Sequence, residues 1–222
     1  MPKVNIQKKS TDTDMTPFVD IAFLILSFFI MATKIKAPEP VKTTPPNSVS
    51  SKTLPKDESV LITMDDKSQV YFTILSETDK TVAPKLIADI NAKRNLNLSA
   101  KQQSNFARTN IIGTSFAQLG TLLNLPDDKR NSITQTGIPV SDSLNNELVW
   151  WIGSAKTAFA DGKRRVKFLI KGDEKAKYPA FEAVIDALRR NEEMKYYLVT
   201  SLEQPPAGTD LYISRQKGTT KD

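Results

Sequence analysis

The chain contains no cysteine and no histidine in 222 residues. Their absence excludes disulfides, thiol nucleophiles and most zinc sites, and it removes the side chain best suited to moving protons at neutral pH. Carboxylates, lysines and tyrosines remain, but the usual catalytic constellations cannot be assembled from them. No enzyme activity, cofactor or metal site is therefore expected. Long apolar runs are scarce too. Hydrophobic residues make up 39% and aromatics 8%, which suits a folded water-facing portion and excludes a protein with many membrane spans. Any membrane contact has to come from one local segment.

A concentrated excess of positive charge is also missing from the part that reads as folded. The net charge is +6, of which residues 34–57 carry +3 and the long stretch 58–204 only +2. A nucleic-acid-binding face would need a basic stripe on a folded element, so no nucleic-acid partner is expected. Lys163-Arg164-Arg165 is the densest basic run, and it reads as a solvated loop before a strand.

What is present is organised in blocks. Residues 1–14 are polar and of mixed charge, a short tail. Residues 15–36 hold the only long apolar stretch, running from Phe18 to Ala32 and interrupted by Asp20 and Ser27. About 20 residues at about 1.5 Å each give roughly 30 Å, the thickness of a hydrocarbon core, so this block reads as a single transmembrane helix. Thr16 can cap it and Pro17 suits its first position, where a missing N–H costs nothing. A carboxylate inside the run, and no small-residue cleavage pattern after Ala32, argue against a removed signal peptide.

Residues 37–58 contain Pro38, Pro40, Pro45, Pro46 and Pro55 among Ser, Thr, Lys and Val. This is the composition of a linker, with a reach from roughly 25 Å as a coil to roughly 70 Å extended. From residue 59 to 204 the pattern turns to structure. Val60–Met64 and Val70–Ile74 read as two strands joined by a tight turn. Helices are expected over 84–91, 115–124 and 143–160. Arg165–Lys171 reads as a strand, Pro179 opens a further helix, and Tyr196–Thr200 closes with a strand. Strand, helix, strand at that spacing implies parallel pairing. The expected fold is thus one transmembrane helix plus an α+β domain with a small mixed sheet and two or more helices. Residues 95–110 and 126–142 give weak signals. The Trp150-Trp151 pair reads as core packing. Residues 205–222 form a loose tail in which Leu211-Tyr212-Ile213 is a candidate short strand.

The residue that carries chemistry is Asp20. Thr16, Asp20, Ser27 and Lys34 are spaced by four, seven and seven, which sets them on one helical face within about 40°. Lipid cannot satisfy such a stripe, so it must face protein or water. An ionised Asp costs roughly 2.5–3.5 kcal/mol at the centre of a membrane helix. Asp20 lies near the start of the run, so snorkelling to the headgroups at the positive end of the helix dipole is the plain alternative.

The stretch from Asp14 through Met15-Thr16-Pro17-Phe18-Val19-Asp20 to Ile30 resembles the membrane signature of the ExbD/TolR family. There, a Thr/Asn-Pro-hydrophobic-hydrophobic-Asp stretch leads into an aliphatic, Phe-rich helix. Phe168-Leu169-Ile170-Lys171-Gly172-Asp173, then Tyr178, Val184 and Asp186-Ala187-Leu188, then Leu198-Val199-Thr200 is similar to the family's strand, Tyr-containing helix and closing strand. The resemblance covers about residues 10–76 and 143–204 and leaves residues 77–142 as an insertion. It implies an inner-membrane protein with residues 1–14 cytoplasmic and the domain periplasmic. It also implies a homodimer inside a ring of an ExbB-like (MotA/TolQ/ExbB family) channel partner, and Asp20 as the ion-coupling carboxylate, supported by Thr16 and Ser27. The output implied is TonB-dependent outer-membrane transport through a TonB-like partner, or TolR-like envelope maintenance. A membrane-anchored periplasmic module that holds peptidoglycan is the reading in which Asp20 has no coupling role.

Overall fold

The computed structural model describes residues 15–32, 41–50, 54–55, 57–140, 145–160, 165–210 and 212–213. The chain divides into two units, residues 1–39 and 40–222. In the first unit the described element is helix α1, Thr16–Ala32. None of its residues is buried, because its apolar side chains point outward all round.

The second unit is built on a four-stranded sheet in the order β3-β2-β4-β5, formed by β2 (Ser59–Met64), β3 (Val70–Leu75), β4 (Lys167–Gly172) and β5 (Tyr196–Val199). β2 pairs antiparallel with β3 and parallel with β4, and β4 pairs parallel with β5. The hairpin turns where local chemistry says it should. The Asp65 carboxylate accepts from the backbone N–H of Lys67 (3.0 Å) and Gln69 (2.8 Å), and Ser68 takes φ 65°. An Asp that bonds its own backbone two residues on is a turn former.

Helix α7 (Tyr178–Arg190) joins β4 to β5 and buries Val184, Ala187 and Leu188, a stripe at helical spacing. Helix α6 (Leu148–Ala160) buries Trp151, Ile152, Ala155 and Phe159. The 143–160 helix thus begins at 148, after residues 141–144, which lie outside the described set. The tryptophans divide. Trp151 is wholly buried among Phe72, Phe106 and Phe116, with ring centroids 5.3–5.9 Å away. Trp150 is 41% exposed and stacks on the Arg94 guanidinium, 5.1 Å from its ring centre. The core-packing reading holds for Trp151 alone, because successive residues of a helix face different ways.

Residues 77–140 are part of the same core. They form α2 (Val82–Arg94), α3 (Ala100–Phe106), α4 (Phe116–Asn124) and α5 (Asp127–Ser132), and Leu86, Ile87, Ile90, Phe106, Phe116 and Leu119 join Trp151 and the strand residues in one cluster. Two of these helices fall where the sequence signal is weak. α3 is held by a capping box between Ser99 and Gln102. In α5, Arg130 is fully buried, and its guanidinium donates to the carbonyls of Leu123 (3.3 Å) and Leu125 (3.0 Å) and pairs with Asp127. A polar helix earns its place here by closing the carbonyl end of α4.

The same segment seals the β3 edge of the sheet. Phe72 and Ile112 exchange both backbone bonds (2.7 and 2.9 Å), and the Ile138 N–H donates to the Val70 carbonyl at 2.8 Å. Gly113 lies flat against Tyr71, where an added Cβ would fall 2.1 Å from the ring. Only glycine admits that approach.

Within the proline-rich stretch, β1 (Asn47–Ser48) pairs in parallel with β6 (Ser201–Leu202). One expectation is corrected: the short strand at 211–213 is absent among the described residues. The Ile213 N–H donates to the Thr209 carbonyl at 3.0 Å, and the Tyr212 N–H to the Thr209 hydroxyl. Both bonds belong to a capped helical turn, with Leu211 itself outside the described set.

Candidate functional site: a carboxylate on an apolar helix

α1 begins at Thr16 with Pro17 second. Pro17 thus sits one place later than expected but still in the first turn, where no i→i−4 donor is lost. Thr16, Asp20 and Ser27 lie on one face of this helix by their spacing, whereas Lys34 falls outside the described residues. The Ser27 hydroxyl donates to the Leu24 carbonyl at 2.9 Å, which occupies its proton. Asp20 is exposed and makes no side-chain hydrogen bond or ion pair among the described residues. Around it Phe18, Val19, Ile21 and Phe23 are each more than half exposed.

Among the described residues no helix is long and apolar enough to cross a membrane. α1 has 17 described residues, or about 26 Å at 1.5 Å per residue, short of a hydrocarbon core of about 30 Å. The block expected to span, 15–36, runs four residues past the last described one. The single transmembrane helix therefore stays an expectation.

In the domain several polar and charged groups make internal contacts. The Tyr71 hydroxyl meets Asp65 (3.1 Å) and Gln69 (2.9 Å). Burial, then the Asp65 charge, push its pKa up. The Glu147 carboxylate accepts the Phe116 N–H at 2.8 Å, at the N-terminus of α4, and burial raises its pKa despite that bond. Arg165 pairs with buried Glu193 at 3.1 Å, so the last residue of the basic run serves the fold; Lys163 and Arg164 are outside the described residues. No carboxylate cluster among the described residues could hold a metal ion.

One grouping escaped the sequence reading. The Asp173 carboxylate accepts the Thr44 N–H at 2.7 Å and the Lys175 N–H at 3.0 Å. The Thr44 bond, then the Lys175 bond, hold its pKa below the usual Asp value. The hint in the sequence was the Gly172-Asp173 pair at the end of a strand, a place where Asp commonly receives local backbone N–H groups.

The layout defines a class: proteins in which an apolar helix bearing one carboxylate precedes a separate α+β domain. Comparison with protein families makes the assignment specific. The model for biopolymer transport protein ExbD/TolR matches residues 7–203. The chain belongs to the ExbD/TolR family, and so to an inner-membrane-associated group of energy-transducing subunits for biopolymer transport, whose complexes contain partners of the ExbB/TolQ kind. The matched span encloses residues 77–142. No curated protein and no solved structure matches.

Proposed function

We propose that this chain is an ExbD-like subunit of an ion-driven inner-membrane motor and that Asp20 is its ion-coupling carboxylate. The observation that carries the reading is a carboxylate with no partner among the described residues, on a helix whose side chains are mostly apolar and exposed. A plain anchor has no need of a charge there, and charges within membrane helices mark ion paths more often than they mark attachment. On this reading α1 crosses the membrane once, residues 1–14 are cytoplasmic and the domain is periplasmic.

Two copies work within a ring of an ExbB-like channel protein. Exposure of the Asp20 carboxylate to each side of the membrane in turn lets it load and unload a proton. The membrane potential supplies about 2.3 kcal/mol per elementary charge per 100 mV. The resulting movement passes along residues 37–58 to the domain and, through a TonB-like protein, to outer-membrane transport. TolR-like envelope maintenance is the variant with the same engine and a different load.

Asp20→Asn tests the reading. Asn has nearly the same size and is easier to place in lipid, so it removes titration while sparing packing. Energised import or envelope function should be lost in cells whose only copy is the variant, with copurification of the channel partner retained. Full activity would leave a tethered, peptidoglycan-holding module as the better account.

A further inference from the structure

The domain holds part of its own linker. Besides the β1–β6 pairing, the Ser201 N–H donates to the Pro46 carbonyl (3.0 Å), the Glu203 N–H to the Ser48 carbonyl (2.9 Å), and the Glu174 N–H to the Thr44 carbonyl (3.0 Å). With the Asp173 carboxylate receiving the Thr44 N–H, both backbone groups of Thr44 are bound at the corner between β4 and α7. A segment rich in proline, which has no core of its own, is thereby fixed at one end by a carboxylate and along its length by a two-residue ladder.

Two features make this attachment weak enough to reverse. The ladder is only two residues long, and the Thr43 hydroxyl is buried with no hydrogen-bond partner among the described residues. An unsatisfied buried hydroxyl opposes the burial that creates it. Pro46 also forms one wall of an apolar cleft of about 300 Å³ over Met64, Ile170, Phe181 and Leu198, so seating and release of the segment cover and uncover apolar surface.

We propose that residues 43–48 are a detachable strap and that Asp173 is the positioning residue that latches it to the domain. Release of the strap uncovers the apolar cleft beside Pro46, and the latch is a charge-assisted bond of the stronger kind. This inference does not depend on Asp20 or on any ion movement.

Hydrogen–deuterium exchange on the full chain in mild detergent tests it through two substitutions of opposite expected sign. Asp173→Asn weakens the latch, so exchange in peptides that contain Ser201 and Glu203 should rise about tenfold, while peptides from β2 and from Phe168–Ile170 keep their protection. Thr43→Val removes the orphaned hydroxyl at nearly constant shape, so exchange at Ser201 and Glu203 should slow. Unchanged exchange at those two amides in both variants overturns the proposal. Equal loosening of the strap and of β2 in the Asn variant also overturns it, by making Asp173 a general support of the fold.

Discussion

Asp20 and Arg130 invert one another. Asp20 is conspicuous in the sequence, a lone charge in an apolar run, and in the structure it stands exposed with no partner among the described residues. Arg130 is inconspicuous, one charge in the polar run Asp127-Asp128-Lys129-Arg130-Asn131, and in the structure it is fully buried over the end of α4. The difference teaches that an odd residue in sequence signals a demand from outside the fold. A residue the fold itself demands can hide in ordinary company. One helix is shaped for surroundings that have to be supplied; the other makes its own.

Substitution at the two positions should separate activity from stability. The largest effect is expected from Asp20→Asn, which should abolish energised function yet leave the denaturation midpoint of the domain, followed by Trp151 fluorescence, where it was. Ser27→Ala on the same face should cost far less activity, because a hydroxyl tunes hydration and cannot carry the ion itself.

Arg130→Ala should do the converse. Loss of its buried bonds to Leu123 and Leu125 and the void left behind should lower domain stability by about 3 kcal/mol, measured by urea unfolding of the full chain in detergent. A loss below about 0.5 kcal/mol would mean that α5 is not closing α4 as described. Gly113→Ala comes next. Its Cβ would meet the Tyr71 ring, and the forced shift should cost about 2 kcal/mol.

The smallest effects concern pH, and they differ in sign. Asp57 is held low first by the Thr78 hydroxyl and then by the Glu58 N–H, and Asp173 by the Thr44 and Lys175 N–H groups. Each contributes stability in full above its unfolded value of about 3.9, and that contribution is lost as pH falls through the lower folded value. Glu147 runs the other way. Burial raises its pKa above 4.5, so its contribution is fully present below about 4.5 and is lost as pH rises through the folded value. In pH-dependent urea midpoints Glu147→Gln should flatten the profile on the higher side, and Asp57→Asn on the acid side. Coincident profiles for all three proteins would contradict these assignments.

Much of the scaffold was legible because periodicity is a local property. The hairpin at 60–74, the strand at 165–171, the α7 stripe and the closing strand at 196 all carry the alternation or helical spacing that their surroundings require. α3 was legible in principle through Ser99 and Gln102, whose reciprocal capping bonds follow from their three-residue spacing. Its polar length masked that signal, because Ala100–Phe106 offers too few apolar residues to show a period. The strap at 43–48 had no such signal. Pro45-Pro46-Asn47-Ser48 looks like any linker, and its partners lie more than a hundred residues away.

The amino-acid sequence alone determined the helix with its carboxylate face, the turn at Asp65, and the order of strands and helices that carries the family signature. Each of these is set by neighbours within about one or two turns, or within one hairpin, so local chemistry suffices. Tertiary structure alone decided which tryptophan enters the core, that residues 77–140 share that core and close the β3 edge, that Arg130 is buried, and that Asp173 holds Thr44. Those outcomes depend on which distant surfaces meet, and burial changes what a polar group needs only after the meeting has taken place.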